Sequence, residues 1–295
     1  MSVSRNTPGG IAYLDLQKQA RSSGRPVQEL LQLYVLEAFI DRLTRSTLRE
    51  AFTLKGGVLL AVYGQRRPTR DIDLQAKDVS NDVGTVLAHV VDIASIAITD
   101  GVEFRTSNAS AVLIRDEDAY TGVRVSMAAG IASAKLDFHV DVNVGDPVLP
   151  PPTNVELPRL LGGSITIRGY PLEMVHAEKI VTAIARGTVN TRWRDFMDVV
   201  SLAAQHPIDG NALIASVRRV AEHRRIALEP LETVLDEYGE IGQAKWEAWR
   251  RKQQLVDRSP ESFEELIRSF IAFAAPVVLG NAAGQQWYPY DQTWR

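Results

Sequence analysis

Two aspartates, Asp71 and Asp73, flank a single isoleucine in the segment Arg70-Asp71-Ile72-Asp73-Leu74. In a β-strand, residues two apart point to the same face, so both carboxylates would share one small volume. Like charges held that close repel, and one carboxyl would keep its proton unless a cation lay between the two. Because Mg²⁺ binds a few carboxylates together with phosphate oxygens of a substrate, the pair predicts a divalent metal site.

A glycine pair, Gly56-Gly57, follows Lys55 upstream of the two aspartates. Glycine permits unusual backbone angles and close approach, so the N–H groups of this turn could face a phosphate. A helix beginning near Val58 would add its positive end. The alternative is an ordinary glycine turn beside a solvated edge strand. Aspartate is disfavoured inside strands, however, and two on one face of an otherwise apolar segment favour a functional explanation.

A second strand with acids on one face is predicted over residues 135–144, where apolar and polar residues alternate. Its polar face would carry Asp137, His139 and Asp141. Taken alone, this alternation is typical of a solvent-facing edge. Beside the Asp71–Asp73 strand, one of its acids could complete a cage of three carboxylates, in which two metals would stabilise an in-line displacement. We predict Asp141 as the third metal ligand, with Asp137 as the alternate.

Charged residues recur on two later predicted helices, as Glu178-Lys179 and as Arg194-Asp195 with Asp198. Surface salt bridges, which contribute about 0–1 kcal/mol, are the simpler interpretation. Lys179 could instead neutralise a triphosphate, and Asp195 could orient it.

Several basic clusters could together form an electrostatic track for a nucleic-acid backbone, although each one singly is typical of a solvated face. They comprise Arg66, Arg67, Arg70, Arg218, Arg219, His223, Arg224, Arg225, Arg250, Arg251 and Lys252.

The elements that must position these residues follow an α+β pattern. Short strands are predicted over 52–54 and 70–76, with a compact helix over 58–63 between them. Three further strands are predicted over 102–106, 111–115 and 123–128. Helices dominate after residue 171. We therefore predict a mixed β-sheet domain with flanking helices over residues 1–150 and an α-helical domain over 151–295.

Composition bounds the function classes. The chain has 295 residues, of which 45% are hydrophobic and 23% charged, enough for a substantial core. The absence of cysteine excludes disulfides, thiolate metal sites and a cysteine nucleophile. A net charge of −3 gives no global basic field. Because no apolar run could span a bilayer and no signal core follows the N-terminus, we expect a cytoplasmic protein without a membrane partner.

The ordered motifs resemble those of known enzymes. Lys55-Gly56-Gly57 followed by Thr69-Arg70-Asp71-Ile72-Asp73 is similar to the opening signature of DNA polymerase β-type nucleotidyltransferases. Residues 140–147 resemble the third-carboxylate strand of that group. The segments 178–179 and 194–198 resemble the later motifs of the AbiEii/MenT family of nucleotidyltransferase toxins. The resemblance covers about residues 26 to 204.

This resemblance implies a nucleotidyltransferase-like N-terminal domain and a toxin of a toxin–antitoxin pair. Members transfer a nucleotide from an NTP with Mg²⁺, for which Mn²⁺ is the expected substitute, and release pyrophosphate. MenT-type members modify the 3′ acceptor end of tRNA, which blocks translation, and a neighbouring gene would encode the antitoxin.

The resemblance also assigns roles to residues. Asp71 and Asp73 would hold metal, while Lys179 would contact the triphosphate and Asp195 would lie in the active cleft. Nucleotide-binding positions would be Lys55, Gly56, Gly57, Thr69, Arg70 and Lys179. The family group commonly has Gly-Ser in the first turn, and this chain has Gly56-Gly57. The serine hydroxyl is therefore missing, and backbone amides would have to contact the phosphate.

Two other functions remain open at this stage. A nucleotidyltransferase acting on a small molecule or on a protein hydroxyl would need the same metal site but a different acceptor surface. A non-catalytic nucleotide-binding regulator would instead have acids too far apart to share a metal.

Overall fold

The computed structural model describes residues 3–115 and 121–295, and its contacts divide the chain into two compact units. The first unit comprises Met1–Asp146 and Pro152–Tyr170, and the second comprises Pro147–Pro151 and Pro171–Arg295. The sequence predicts a boundary at residue 150. Residues 152–170 lie with the first unit because they form a hairpin that extends its sheet.

The first unit is built around one mixed sheet. The helices of its described part are α1 (Pro8–Ser23), α2 (Val27–Arg45), α3 (Gly56–Leu59) and α4 (Val83–Ala94). Its strands are β1 (Phe52–Lys55), β2 (Asp71–Ala76), β3 (Val102–Arg115), β4 (Thr121–Ile131), β5 (Ala134–Val144), β6 (Thr153–Pro158) and β7 (Ser164–Gly169). The strand order is β3-β4-β5-β2-β1-β7-β6, with β2 parallel to β5 and β1 parallel to β7. The predicted α+β architecture is confirmed.

Three elements differ from the sequence-based expectation. The strands predicted over 102–106 and 111–115 are one strand, β3, whose pairing with β4 shifts register between Arg105 and Ser110. That irregularity interrupts the alternation that marks a strand. The helix predicted over 58–63 is the single turn α3, followed by further turns. A single turn has no developed dipole, so the expected positive helix end is absent.

The sheet has one apolar face, which packs against α2. Phe39 of α2 lies 5.9 Å from Phe138 of β5 and 6.1 Å from Phe104 of β3, measured between ring centroids. Ile72 and Val140 lie on the same face and are fully buried. Because side chains alternate along each strand, the residues between them on β2 and β5 lie on the opposite face.

Helix α2 also carries buried charges that fasten it to the sheet unit. Arg42 forms a bidentate pair with Asp100, at 2.6 and 3.2 Å, and both side chains are almost fully buried. Glu37 pairs with Arg66 and accepts the backbone N–H of Leu160. Arg66, which could have joined a basic track as judged from the sequence, is engaged by a buried carboxylate.

The second unit is helical, apart from a small sheet of order β10-β9-β8. Its helices are α5 (Leu172–Arg186), α6 (Trp193–Ala203), α7 (Gly210–Arg224), α8 (Leu231–Val234), α9 (Tyr238–Lys252) and α10 (Phe263–Val278), with 3₁₀ turns over Gly187–Val189 and Val256–Arg258. Its short strands are β8 (Ile208–Asp209), β9 (Gln286–Tyr288) and β10 (Thr293–Trp294).

Aromatic rings fill the core of this second unit. Trp193 stacks on Tyr238, and Phe263 packs edge-on against both. The side chain of Arg250 is buried and donates to the carbonyls of Val256 and Ser259. Arg250 is therefore a structural residue rather than part of an exposed basic face. Among residues 3–115 and 121–295, every helix is too short or too polar to cross a membrane.

The Arg42–Asp100 pair gives a stability prediction. We expect Asp100→Ala to lower the free energy of unfolding by about 3–5 kcal/mol, because it leaves the buried Arg42 charge without its counter-ion. The matched control is Arg5→Ala, which removes a pair with Asp15 of the same 2.6 Å length on the surface. That control should cost less than about 1 kcal/mol. Equal costs in urea unfolding would contradict a structural role for the buried pair.

Candidate active site

Four charged residues form a row across four strands on the polar face of the sheet. Strand pairing sets Lys55 opposite Asp73, Asp73 opposite Asp141, and Asp141 opposite Arg124. Directly opposite residues of neighbouring strands point to the same side of a sheet. The row therefore places two carboxylates side by side, with a cationic residue on the strand at each end.

A second row runs beside the first. Asp71 of β2 lies opposite His139 of β5, which lies opposite Ser126 of β4. The Ser126 hydroxyl is 2.9 Å from Nδ1 of His139. The hydroxyl of Thr69 donates to Oδ1 of Asp71 at 2.8 Å. Asp71 is thus oriented by a buried threonine. It lies two residues from Asp73 on the same strand and the same face.

The ionised form of Asp73 is destabilised by its surroundings. Burial, together with the nearby charges of Asp71 and Asp141, raises its pKa to about 7. Lys55 and the backbone N–H of Gly57 act in the opposite direction, since both stabilise the carboxylate. An additional cation beside these acids would therefore favour the ionised form of Asp73 at neutral pH.

The glycine corner fits around this carboxyl. Gly56 has a left-handed backbone with φ of +66°, and a Cβ there would overlap the Asp73 carboxylate and lie 2.7 Å from the Asp73 Cβ. A Cβ on Gly57 would lie 2.9 Å from the Thr69 hydroxyl and 3.3 Å from Nη1 of Arg67. A side chain at position 57 would thus crowd Thr69.

The predicted phosphate contacts of this corner are engaged within the protein. The N–H of Gly57 donates to Asp73. The ammonium of Lys55 lies 3.1 Å from Oδ2 of Asp146 and above the ring of Tyr170. The side chain of Arg70 is exposed beside Asp71. Nucleotide binding by Lys55, Gly56, Gly57, Thr69 and Arg70 stays a prediction.

The donor set suits a divalent cation held by two carboxylates. Asp71 and Asp73 offer hard oxygen donors of the kind that Mg²⁺ and Mn²⁺ prefer. Both oxygens of Asp141, in contrast, accept from Arg124, at 2.8 and 2.6 Å. Asp137 is exposed and lies two residues beyond His139, further from the row of Asp73.

Across residues 3–115 and 121–295, no group of three or more histidine, cysteine, aspartate or glutamate side chains is arranged to hold a metal. The third ligand that the sequence predicted, Asp141 or its alternate Asp137, therefore stays a prediction.

The second unit holds its own charged cluster. The ammonium of Lys179 on α5 lies between two carboxylates of α6, pairing with Asp195 and lying 2.9 Å from Asp198. His176, one turn earlier on α5, is fully buried against Phe273. Burial and the charge of Lys179 lower the pKa of His176 to about 3, so this imidazole is neutral.

Two residues of these clusters were given no role in the sequence analysis. Asp198 had a signal, because its spacing from Asp195 places both on one helix face. Arg124 had none, because its place in the row depends on the register between β4 and β5. Whether Lys179 and Asp195 act together with Asp71 and Asp73 also stays a prediction.

Comparison with known proteins identifies the chain by family. Residues 38–269, well over half of the chain, match the family described as nucleotidyl transferase AbiEii toxin, type IV toxin–antitoxin system. No functionally curated protein matches the chain.

Two crystal structures from Helicobacter pylori are similar at 16% identity with a TM-score of 0.49: JHP933 and a proposed nucleotidyltransferase. Each alignment covers 86% of this chain, with 93% of JHP933 and 96% of the other chain.

The glycine corner gives a prediction with a matched control. Gly24 has φ of +64°, close to the +66° of Gly56, but nothing lies within 4 Å of a Cβ placed there. Gly24→Ala should therefore cost only the left-handed strain, about 1–2 kcal/mol. Gly56→Ala should cost at least about 1 kcal/mol more, because the Asp73 side chain must move. Equal free energies of unfolding for the two variants would show that the corner tolerates a side chain.

The raised pKa of Asp73 gives a pH prediction for the protein in chelator. An unfolded aspartate ionises near pH 4, whereas this carboxyl keeps its proton up to about pH 7, so the folded state loses stability as pH rises between those values. Asp73→Asn lacks this penalty. Its stability relative to the parent should rise from near zero at pH 4 to at most about 4 kcal/mol above pH 7. A pH-independent difference in thermal unfolding would refute the electrostatic account.

Proposed function

We propose that this chain, which belongs to the AbiEii family of nucleotidyl transferase toxins, transfers a nucleotide from an NTP to an RNA acceptor, the 3′ end of a tRNA. Family membership makes the chain a nucleotidyltransferase of a type IV toxin–antitoxin system, with a nucleotide substrate and an antitoxin partner. Mg²⁺ as the ion, with Mn²⁺ as its substitute, tRNA as the acceptor and a block of translation are parts of the proposal.

The observation that carries the proposal is the pair Asp71 and Asp73 on one face of β2, with the Asp73 pKa raised by burial and by its acidic neighbours. A site that concentrates negative charge on a rigid strand is unfavourable unless a cation is part of its working state. A Mg²⁺ ion bound with an NTP would supply that cation and would stabilise charge on the reacting phosphate.

Each residue then has a defined task. Asp71 and Asp73 would hold the ion, and the Thr69 hydroxyl would fix the rotamer of Asp71 through its 2.8 Å hydrogen bond. Lys55 would offset charge beside Asp73. Asp141 is left out of the metal site of this proposal, because Arg124 engages both of its oxygens.

The proposed reaction is a substitution at the α-phosphorus of the NTP. The oxygen of the acceptor 3′-hydroxyl forms a bond to the α-phosphorus, and the bond from that phosphorus to the bridging oxygen breaks. Pyrophosphate leaves, and the hydroxyl proton passes to solvent or a nearby base. Lys179 would contact the triphosphate, and Asp195, its ion-pair partner, would hold the ammonium in place.

RNA as the acceptor rests on the resemblance to MenT-type enzymes and on the exposed Arg70 beside Asp71. A small molecule or a protein hydroxyl could be attacked by the same chemistry. Incubation with each α-labelled NTP and either total RNA or total protein, followed by gel separation, distinguishes these acceptors.

The same assay tests whether Asp71 and Asp73 are needed for the reaction. We expect Asp71→Asn to lower label transfer at least about 100-fold, because one of the two charges that hold the cation is lost. Asp92→Asn is the control, since Asp92 is exposed on α4. It should transfer label at the parent rate. Transfer by a folded Asp71→Asn protein at the parent rate would exclude Asp71 from the reaction.

A further inference from the structure

We propose that Arg124 binds the triphosphate of the incoming nucleotide and that Asp141 is a positioning residue that holds this guanidinium in place. Asp141 would thereby act on the substrate through Arg124 and would not be a metal ligand. The inference deepens the proposed function and rests on it, since it assigns the anion-binding partner of the Asp71–Asp73 site.

The side chains of Arg124 and Asp141 make a two-point contact. Nε of Arg124 donates to Oδ1 of Asp141 at 2.8 Å, and Nη2 donates to Oδ2 at 2.6 Å. This two-point contact fixes the plane of the guanidinium as well as its position. The side chain of Asp141 is 9% exposed and that of Arg124 is 37% exposed. The carboxylate is therefore the buried member, and the guanidinium reaches solvent.

The guanidinium keeps donors for a second partner. Arginine has five N–H groups, and the contact with Asp141 uses two of them. Arg124 has no other hydrogen-bond partner in the described parts of the chain, residues 3–115 and 121–295. Its remaining donors are thus available to phosphate oxygens, which arginine binds in the same forked manner.

The position of Arg124 in the sheet brings those donors near the carboxylates of Asp71 and Asp73. Strand β4 lies two strands from β2, a separation of about 10 Å, which a long side chain reaching over Asp141 partly spans. Arg124 also interacts electrostatically with Asp71 and Asp73. A triphosphate joined to Asp71 and Asp73 through a cation would bring further negative charge to this face, and Arg124 is placed to neutralise it.

The competing assignment, Asp141 as a third metal ligand, requires a costly exchange. A cation at Asp141 would have to replace both hydrogen bonds from Arg124. The guanidinium would then lose the partner that orients it. The arrangement of the row is better explained by two carboxylates for the cation and one for the arginine.

Binding measurements with the full-length protein separate the two assignments without relying on turnover. Mn²⁺ binding is measured by electron paramagnetic resonance in the absence of nucleotide. Binding of a non-hydrolysable α,β-methylene NTP is measured by calorimetry in saturating Mn²⁺. The variants are Arg124→Gln, Arg124→Lys and Asp141→Asn, with Arg105→Gln, an exposed arginine of β3, as the matched control.

We expect Arg124→Gln and Asp141→Asn each to weaken the binding of the analogue about 10-fold or more, while the Kd for Mn²⁺ stays within about twofold of the parent value. Arg124→Lys should recover only part of the affinity, because lysine cannot reproduce the two-point contact. Arg105→Gln should bind both as the parent does.

Two results would overturn the inference. One is loss of Mn²⁺ binding in Asp141→Asn together with tighter Mn²⁺ binding in Arg124→Gln, which would make Asp141 a metal ligand and Arg124 its competitor. The other is unchanged binding of the analogue by a folded Arg124→Gln protein, a variant of a partly exposed residue that should fold even where Asp141→Asn does not. The proposed function fails differently, through absence of label transfer by the unmodified protein from every NTP.

Discussion

The repulsion between acids on one face of the sheet is the constraint around which the first unit is organised. Asp71 and Asp73 follow each other on β2, and the pairing of β2 with β5 brings Asp141 beside Asp73. Each neighbouring feature lowers the cost of this concentration of charge. Gly56 leaves room for the Asp73 carboxyl, Thr69 donates to Asp71, and Arg124 neutralises Asp141. The charges of Asp71 and Asp73 are left over, and the proposed divalent cation would balance them.

The opposite face of the same strands supplies the rigidity that such a site needs. Ile72 and Val140 are buried there, and α2 packs over the sheet through Phe39. The bidentate Arg42–Asp100 pair fastens α2 within the unit. Because a shift of one residue in strand register would exchange the two faces, burial of the apolar side chains also fixes the position of the carboxylates.

Local patterns were enough to predict the parts of the fold and site that depend on a single segment. The Asp-Ile-Asp strand and the alternation over 135–144 predicted which side chains share a face, and the structure has both strands. Pairing between distant segments could be predicted only in part: Asp141 was expected beside the Asp71–Asp73 strand, but other pairings had no local signal. The contact of Arg124 with Asp141 requires the register of β4 on β5, and the β6–β7 hairpin is held at the sheet edge by β1. Basic residues in the sequence are also no proof of an exposed basic surface. Arg66 and Arg250 have partners within the fold that composition does not reveal.

The most direct test of the account is the position of a bound cation. A crystal of the protein soaked in Mn²⁺ with a non-hydrolysable NTP, measured at the manganese absorption edge, locates the ion independently of any assay. We predict an anomalous peak within about 2.2 Å of one carboxylate oxygen of Asp71 and one of Asp73, with the guanidinium of Arg124 still paired to Asp141. A structure with nucleotide bound at full occupancy but no manganese peak between Asp71 and Asp73 would contradict the central claim.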